Sequence, residues 1–423
     1  MARMAGAVDL PASKSYSIRA IFIAACGGVS RLTGLSDCDD AKAALGVARA
    51  LGASLKVIPG GYLVTAAELA RSKKRLGIDV RESGTSLRFI LPLLPFYTDS
   101  ALVNGKGTLI GRPNRHLLET LTACGLTFVA EDSNGSVPIS FQGGNFSGGR
   151  VSIDGSLSSQ FISALMIALP RAPRDTRLLM TGRKLVSRDY VTMTEQILER
   201  AGVSAGRVSD REFLIPGRQQ FRGLKAFTVP SDYGLAAFLL AAAALGSSDV
   251  RLRGYFDDSL VQSDGAILEF LDKMGVSVQR SKKMLRVKGP CRIKGGVFSL
   301  ANAPDLVPVM AVMAMFAQGE TRLTDIAHAR VKESDRISDL RAELLKTGAD
   351  ITETRDELVI RPCAQYKSNV ELDPHRDHRL AMAFAVLGTR IGVTVRDMEC
   401  CAKSYPAFVR HLRSLVVRQA GNS

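Results

Sequence analysis

Five charged residues of both signs fall within the seven positions Arg330-Val331-Lys332-Glu333-Ser334-Asp335-Arg336. Ile337, Leu340, Leu344 and Leu345 follow at helical spacing, and Gly348 after Lys346 reads as a basic last turn and a stop. The charges therefore sit at a helix start. Guanidinium, ammonium and carboxylate groups at such a place can bind anions and move protons. A solvated helix start accounts for the same cluster without chemistry.

Basic residues elsewhere decide between these readings. Arg19, Arg88 and Arg379 each lie just inside a segment that is otherwise apolar. The residues before these and related segments are Lys14-Ser15-Tyr16-Ser17-Ile18, Glu82-Ser83-Gly84-Thr85-Ser86, Ser156-Leu157-Ser158-Ser159-Gln160, Ser231-Asp232, Pro304-Asp305 and Asp373 to His378. As helix caps the hydroxyls and carboxylates need no further explanation, and Asp232 is read as a cap only. The arginines are different. A helix N-terminus already carries positive partial charge, and a buried cation is costly unless paired, so arginine there implies an anion. Arg112, Arg188, Lys332, Arg336 and Lys403 add cations outside these segments. At least two anionic groups are expected.

The formal net charge of +15 agrees with an anionic ligand. Nucleic acid is disfavoured, because the basic residues are spread along the chain, aromatics are 6% and Trp is absent. His375 and His378 with Asp373 and Asp377 have metal-like spacing, but Arg376 and Arg379 would repel a cation, so no metal is expected. No phosphate-loop lysine motif or dinucleotide glycine fingerprint is present. Seven cysteines without CxxC spacing read as reduced, mostly buried thiols of a cytoplasmic protein. The longest apolar stretch, Leu235 to Leu245, is too short for a membrane span and reads as a buried helix.

These groups must be positioned by repeated elements. Gly52, Gly125, Gly202, Gly275 and Gly348 recur at intervals of 73, 77, 73 and 73 residues, each ending an amphipathic helix before a strand pattern. Segments apolar on every side keep the same period: 18–25, 87–94, 161–169, 235–245, 307–316 and 380–387. Six units of buried helix, strand, amphipathic helix and hairpin make an α+β fold. Two closed bodies of three units each are expected, since the period is too long for a solenoid.

Nine motifs in one order, "PASKSYSIRA", "ESGTSLRF", "GRPNRHL", "GSLSSQF", "SRDY", "PDLVPVMA", "RVKESDR", "DHRLAMA" and "CCAKSYP", resemble the 5-enolpyruvylshikimate-3-phosphate synthase family from about residue 10 to about residue 408. The resemblance implies a two-domain inside-out α/β barrel of six βαβαββ units, three per domain. Residues 13–229 would form one domain, and residues 1–12 with 230–423 the other, with the substrates in the cleft between them. The implied activity is transfer of the enolpyruvyl group of phosphoenolpyruvate to the 5-hydroxyl of shikimate 3-phosphate, with release of phosphate, in aromatic amino acid biosynthesis. No metal or organic cofactor, no nucleic-acid or membrane partner and a monomeric state go with it.

Carried over by motif, shikimate 3-phosphate would be held by Lys14, Ser15, Arg19, Ser158, Ser159, Gln160, Ser187, Tyr190, Asp305, His328 and Lys332. Phosphoenolpyruvate would be held by Lys14, Gly84, Thr85, Arg112, Gln160, Arg336, Arg379 and Lys403. Asp305 would stand near the attacking hydroxyl and Glu333 near C3 of phosphoenolpyruvate, with Lys14 and Lys403 sharing proton transfer. Arg330, Ser334 and Asp335 are left to capping and ion pairing.

Two positions depart from the family pattern. Glu82 stands where many members have Asn, and His328 where an Asn often contacts the shikimate phosphate. An anionic Glu82 would repel phosphoenolpyruvate unless paired, with Arg88 the candidate partner. The related UDP-N-acetylglucosamine enolpyruvyl transferases have a cysteine before the arginine of the third motif, which Leu109-Ile110-Gly111-Arg112 lacks. A basic, non-catalytic nucleic-acid-binding protein is the remaining alternative, and it predicts a salt-sensitive affinity for DNA or RNA.

Overall fold

The computed structural model describes residues 3–68 and 71–417. The chain divides into two compact units, Ser13–Val229 and Met1–Ala12 with Pro230–Ser423.

In the first unit three sheets share one plan. Strand Lys225–Thr228 lies parallel to Val29–Thr33, which pairs antiparallel with Gly61–Thr65 and so with Ser54–Ile58. Leu76–Asp79, Ala101–Asn104, Ile139–Gly144 and Leu126–Ala130 repeat that order. So do Gly149–Asp154, Thr176–Thr181, Glu212–Ile215 and Gly206–Ser209. The parallel pair needs a crossover helix, and the antiparallel pair only a turn, which is why a buried helix and a hairpin alternate.

The second unit repeats the plan twice. Met4–Asp9, Ser248–Arg253, Met284–Gly289 and Gln279–Ser281 form one sheet. Lys294–Ser299, Gln318–Thr324, Glu357–Arg361 and Asp350–Glu353 form another. The sixth repeat departs from the expected pattern: its sheet is the parallel pair Val370–Leu372 and Val393–Val395, without a hairpin among the described residues. After the helix Phe408–Leu415 the chain bridges instead to the first strand, Val416 pairing with Met4 and Val417 N–H donating to Arg3 O at 2.8 Å.

The apolar segments are buried helices, as their patterning requires. Every residue of Tyr233–Leu245 is buried, and Lys14–Cys26, Ser159–Ala168, Val307–Ala314 and His378–Ile391 are buried along most of their length. Each fully buried Leu, Ile or Phe contributes about 1.5–3 kcal/mol. The segment expected over 87–94 changes character part-way. It is α-helical over Gly84–Ile90 and tightens to a 3-10 helix over Leu91–Phe96, where Pro92 and Pro95 lack the N–H that an α-helix needs.

The five periodic glycines all adopt left-handed backbone, with φ from +77° at Gly202 to +92° at Gly125. That is the conformation a helix stop demands and side chains resist. Cys26, Cys38 and Cys401 are buried free thiols, whereas Cys124, Cys291, Cys363 and Cys400 are only half-buried, fewer buried than expected. No helix among the described residues is long and apolar enough to cross a membrane.

Candidate active site

In the Ser13–Val229 unit, three helix starts carry most of the expected residues. Ser13 caps the helix Lys14–Cys26 by accepting from Tyr16 N–H. Lys14, the first residue of that helix, places its Nζ 3.1 Å from Asp40 Oδ2. Arg19 is 2% exposed and spreads its donors over neutral acceptors. Nε donates to Thr194 Oγ1 at 2.8 Å, Nη1 to Ser15 O at 3.0 Å, and Nη2 to Tyr190 O at 3.0 Å and Ser163 Oγ at 3.4 Å. Burial pushes its pKa down to about 10. Arg19 thus ties Ser15 to Tyr190. Ser187, just before Tyr190, takes left-handed backbone at the start of Arg188–Arg200 and is buried.

The second helix start is that of Gly84–Ile90, capped by Ser83, with Thr85 its second residue. The Arg112 guanidinium lies directly against it: a Cβ added to Gly84 would stand 3.0 Å from Arg112 Nη1. Arg88 was named above as the candidate partner of Glu82. It donates to Asn114 Oδ1 at 3.1 Å, Gln160 Oε1 at 2.6 Å and Pro113 O at 3.3 Å, and its guanidinium lies over the Phe161 ring. Glu82 accepts from Thr108, at both N and Oγ1. The third start is Ser158, which caps Ser159–Ala168 by accepting from Gln160 N–H, so that Arg88 fixes a side chain whose backbone is already fixed.

The other unit gathers Asp305, Glu333, Arg336 and Arg379. Arg336 is 1% exposed. It donates to Asp305 Oδ1 at 2.7 Å, Glu333 Oε2 at 2.9 Å and both carboxylate oxygens of Asp377, at 2.7 and 3.2 Å. Burial alone would lower its pKa, yet Asp377, Asp305 and Glu333 hold it well above the ordinary arginine value. Arg379 donates to the other oxygen of Asp305 at 2.9 Å and to Gly234 O, with Asp264 at 3.8 Å. Asp305 therefore bridges two buried arginines.

Lys332 ends the 3-10 turn Ala327–Val331 that holds the buried His328. Lys403 ends the 3-10 helix Met398–Lys403 and is 7% exposed. Asp335 caps the helix Ser338–Lys346, accepting from Ile337 and Ser338 N–H, and pairs with Arg330 at 2.8 Å. Ser334 donates to Asp377 at 3.1 Å. These three are capping and pairing residues, as expected.

Asp377 is the main residue that the reading of the sequence missed as a partner of Arg336. It is fully buried, caps His378–Ile391 by accepting from Arg379 N–H, and binds Arg336 with the same carboxylate. Its signal was its place immediately before the buried helix of Arg379. Among the described residues no group of three or more His, Cys, Asp or Glu side chains is arranged to hold a metal ion.

This architecture is shared with solved enolpyruvyl transferases. NikO from Streptomyces tendae matches with a TM-score of 0.78 at 18% identity, over 98% of this chain and 95% of that one, which speaks for the fold alone. An EPSP synthase from Acinetobacter baumannii matches with a TM-score of 0.78 at 25% identity, over 98% and 96%. Residues 1–412 match the family model of EPSP synthase, 3-phosphoshikimate 1-carboxyvinyltransferase, and the chain belongs to that family. The 3-phosphoshikimate 1-carboxyvinyltransferase of Methanosarcina acetivorans is 36% identical over 98% of this chain and 96% of its own length. That of a Sulfurovum species is 33% identical over 97% and 96%.

Proposed function

We propose that this chain transfers the enolpyruvyl group of phosphoenolpyruvate to the 5-hydroxyl of shikimate 3-phosphate, as a step of the shikimate pathway. The observation that carries the reading is family membership along nearly the whole chain, joined to a half-buried carboxylate, Asp305, that bridges two buried arginines. The hydroxyl oxygen attacks C2 while C3 gains a proton, giving a tetrahedral intermediate. A methyl proton is then withdrawn as phosphate leaves.

Asp305 takes the hydroxyl proton and Glu333 serves C3, with Lys14 and Lys403 sharing proton transfer. Arg336, Arg379, Arg112, Gly84, Thr85 and Gln160 hold phosphoenolpyruvate. Ser15, Arg19, Ser158, Ser159, Ser187, Tyr190, His328 and Lys332 hold shikimate 3-phosphate. Cations aimed at the developing charge supply the larger electrostatic contribution. Ser13–Val229 and Met1–Ala12 with Pro230–Ser423 are read as the family's two domains, of three repeat units each with the sixth shortened. The enzyme acts as a cytoplasmic monomer without metal.

The test is phosphate release from phosphoenolpyruvate and shikimate 3-phosphate in the absence of added metal. Release that needs both substrates supports the reading, and folded protein that releases none overturns it.

A further inference from the structure

Glu82 stands where an amide would be expected, and the structure shows a carboxylate built into a turn. The turn is Gly107–Leu109, which leads into Arg112. Glu82 Oε2 accepts from Thr108 N–H and from Thr108 Oγ1, both at 3.2 Å. Its other oxygen fills the space beside Gly107, where a Cβ would stand 2.2 Å from Glu82 Oε1. Gly107 has φ +58°, so this residue combines left-handed backbone with a close approach that any side chain would block.

The turn is then passed along the backbone to Arg112. Lys106 N–H donates to Arg81 O at 2.8 Å, Leu109 N–H to Lys106 O at 3.2 Å and Ile110 N–H to Gly107 O at 3.2 Å. Arg112 N–H donates to Leu109 O at 3.3 Å, and the Arg112 guanidinium lies against Gly84, two residues after Glu82. One segment thus touches both ends of Arg112: Glu82 holds the turn at its base, and Gly84 makes room for its head.

We infer that Glu82 is a positioning residue, whose carboxylate locks the Gly107–Leu109 turn through Thr108 and thereby holds the Arg112 guanidinium where it receives an anion. The inference rests on the proposed reading only in naming that anion as phosphoenolpyruvate. A charge-assisted acceptor gripping a backbone N–H and a hydroxyl of one residue fixes the turn more firmly than a neutral contact. Losing it leaves two donors without their acceptor and lets the turn move.

The test compares Glu82→Ala, Glu82→Gln and Thr108→Val with the parent enzyme. Glu82→Ala is expected to raise KM for phosphoenolpyruvate about tenfold while kcat and KM for shikimate 3-phosphate stay within about twofold. Glu82→Gln recovers most of the KM but not all of it, because its amide oxygen still accepts from Thr108 without the charge. Thr108→Val, which keeps the N–H and loses the hydroxyl, gives a smaller rise. Hydrogen exchange at Thr108 and Arg112 N–H quickens in Glu82→Ala, and this readout does not depend on turnover. Unchanged exchange overturns the inference even if the enzyme is active. A fall in KM for phosphoenolpyruvate in both Glu82 variants overturns it too, since that would mean a charge acting directly on the substrate. Absence of turnover in the parent enzyme counts against the proposed function, and the exchange measurement then decides this inference alone.

Discussion

Arg336 and Asp377 form a two-bond ion pair shut away from solvent, Nε to Oδ2 at 2.7 Å and Nη2 to Oδ1 at 3.2 Å, with neither side chain more than 1% exposed. The same carboxylate caps the helix that carries Arg379. Removing one partner of a buried pair leaves an uncompensated charge and costs about 3–5 kcal/mol. Asp377→Asn isolates that effect, because asparagine caps a helix as well as aspartate does. Its unfolding free energy in urea should fall by about 3 kcal/mol. An unchanged midpoint and slope would mean that Asp305 and Glu333 suffice to hold Arg336.

Arg88 is a three-way brace between Asn114, Gln160 and the carbonyl of Pro113. A lysine keeps the charge but offers a point in place of a planar fork, and cannot reach all three. Arg88→Lys should therefore leave a buried acceptor unmet at a cost of about 1–3 kcal/mol. Gln160 is assigned to both substrates, so both KM values should rise together. A rise for one substrate alone would split that assignment.

Gly84 bears on Arg112 by contact. An alanine there would place its methyl 3.0 Å from Nη1 and 3.2 Å from Cζ of Arg112, closer than a side chain tolerates without moving. The guanidinium is the far end of a long side chain, so it yields and the fold does not. Gly84→Ala is expected to change unfolding free energy by less than about 1 kcal/mol, while KM for phosphoenolpyruvate rises and KM for shikimate 3-phosphate does not. Equal rises in both constants would place Arg112 outside a phosphoenolpyruvate-specific role.

What could be read from the sequence divides along a physical line. The glycine stops and the buried helices were legible, because a left-handed cap and an all-round apolar segment are local demands on a few neighbouring residues. Even the exception at Leu91–Phe96 was spelled out by Pro92 and Pro95. The partners of the buried arginines were not legible. The acceptors of Arg19 within the protein are a hydroxyl 175 residues away, another 144 away and two carbonyls, neutral partners that spacing does not reveal. The contact of Glu82 with Thr108 was not legible for the same reason: Thr108 lies 26 residues on, brought near by the parallel pairing of Leu76–Asp79 with Ala101–Asn104. Leu345 fitted the apolar stripe of its helix but is 38% exposed, while Leu340 and Leu344 are buried.

The proposed proton-transfer roles can be separated from structural ones by the number of partners each residue leaves behind. Glu333 gives Arg336 one of its carboxylate contacts, and without it Asp305 and Asp377 still bind that guanidinium. Glu333→Ala should therefore stay folded, with an unfolding free energy within about 1 kcal/mol of the parent, and lose turnover by about 10²–10⁴-fold, the usual worth of a positioned acid or base. Lys14→Met should also lose turnover, but it removes the ammonium beside Asp40, a carboxylate only 4% exposed. That variant carries a stability cost of about 1–3 kcal/mol that Glu333→Ala does not. Replacing Asp40 with Asn in the Lys14→Met background should return most of the stability and none of the rate. Near-normal turnover in both single variants would remove Glu333 and Lys14 from proton transfer. Recovery of rate in the double variant would reduce Lys14 to a partner of Asp40.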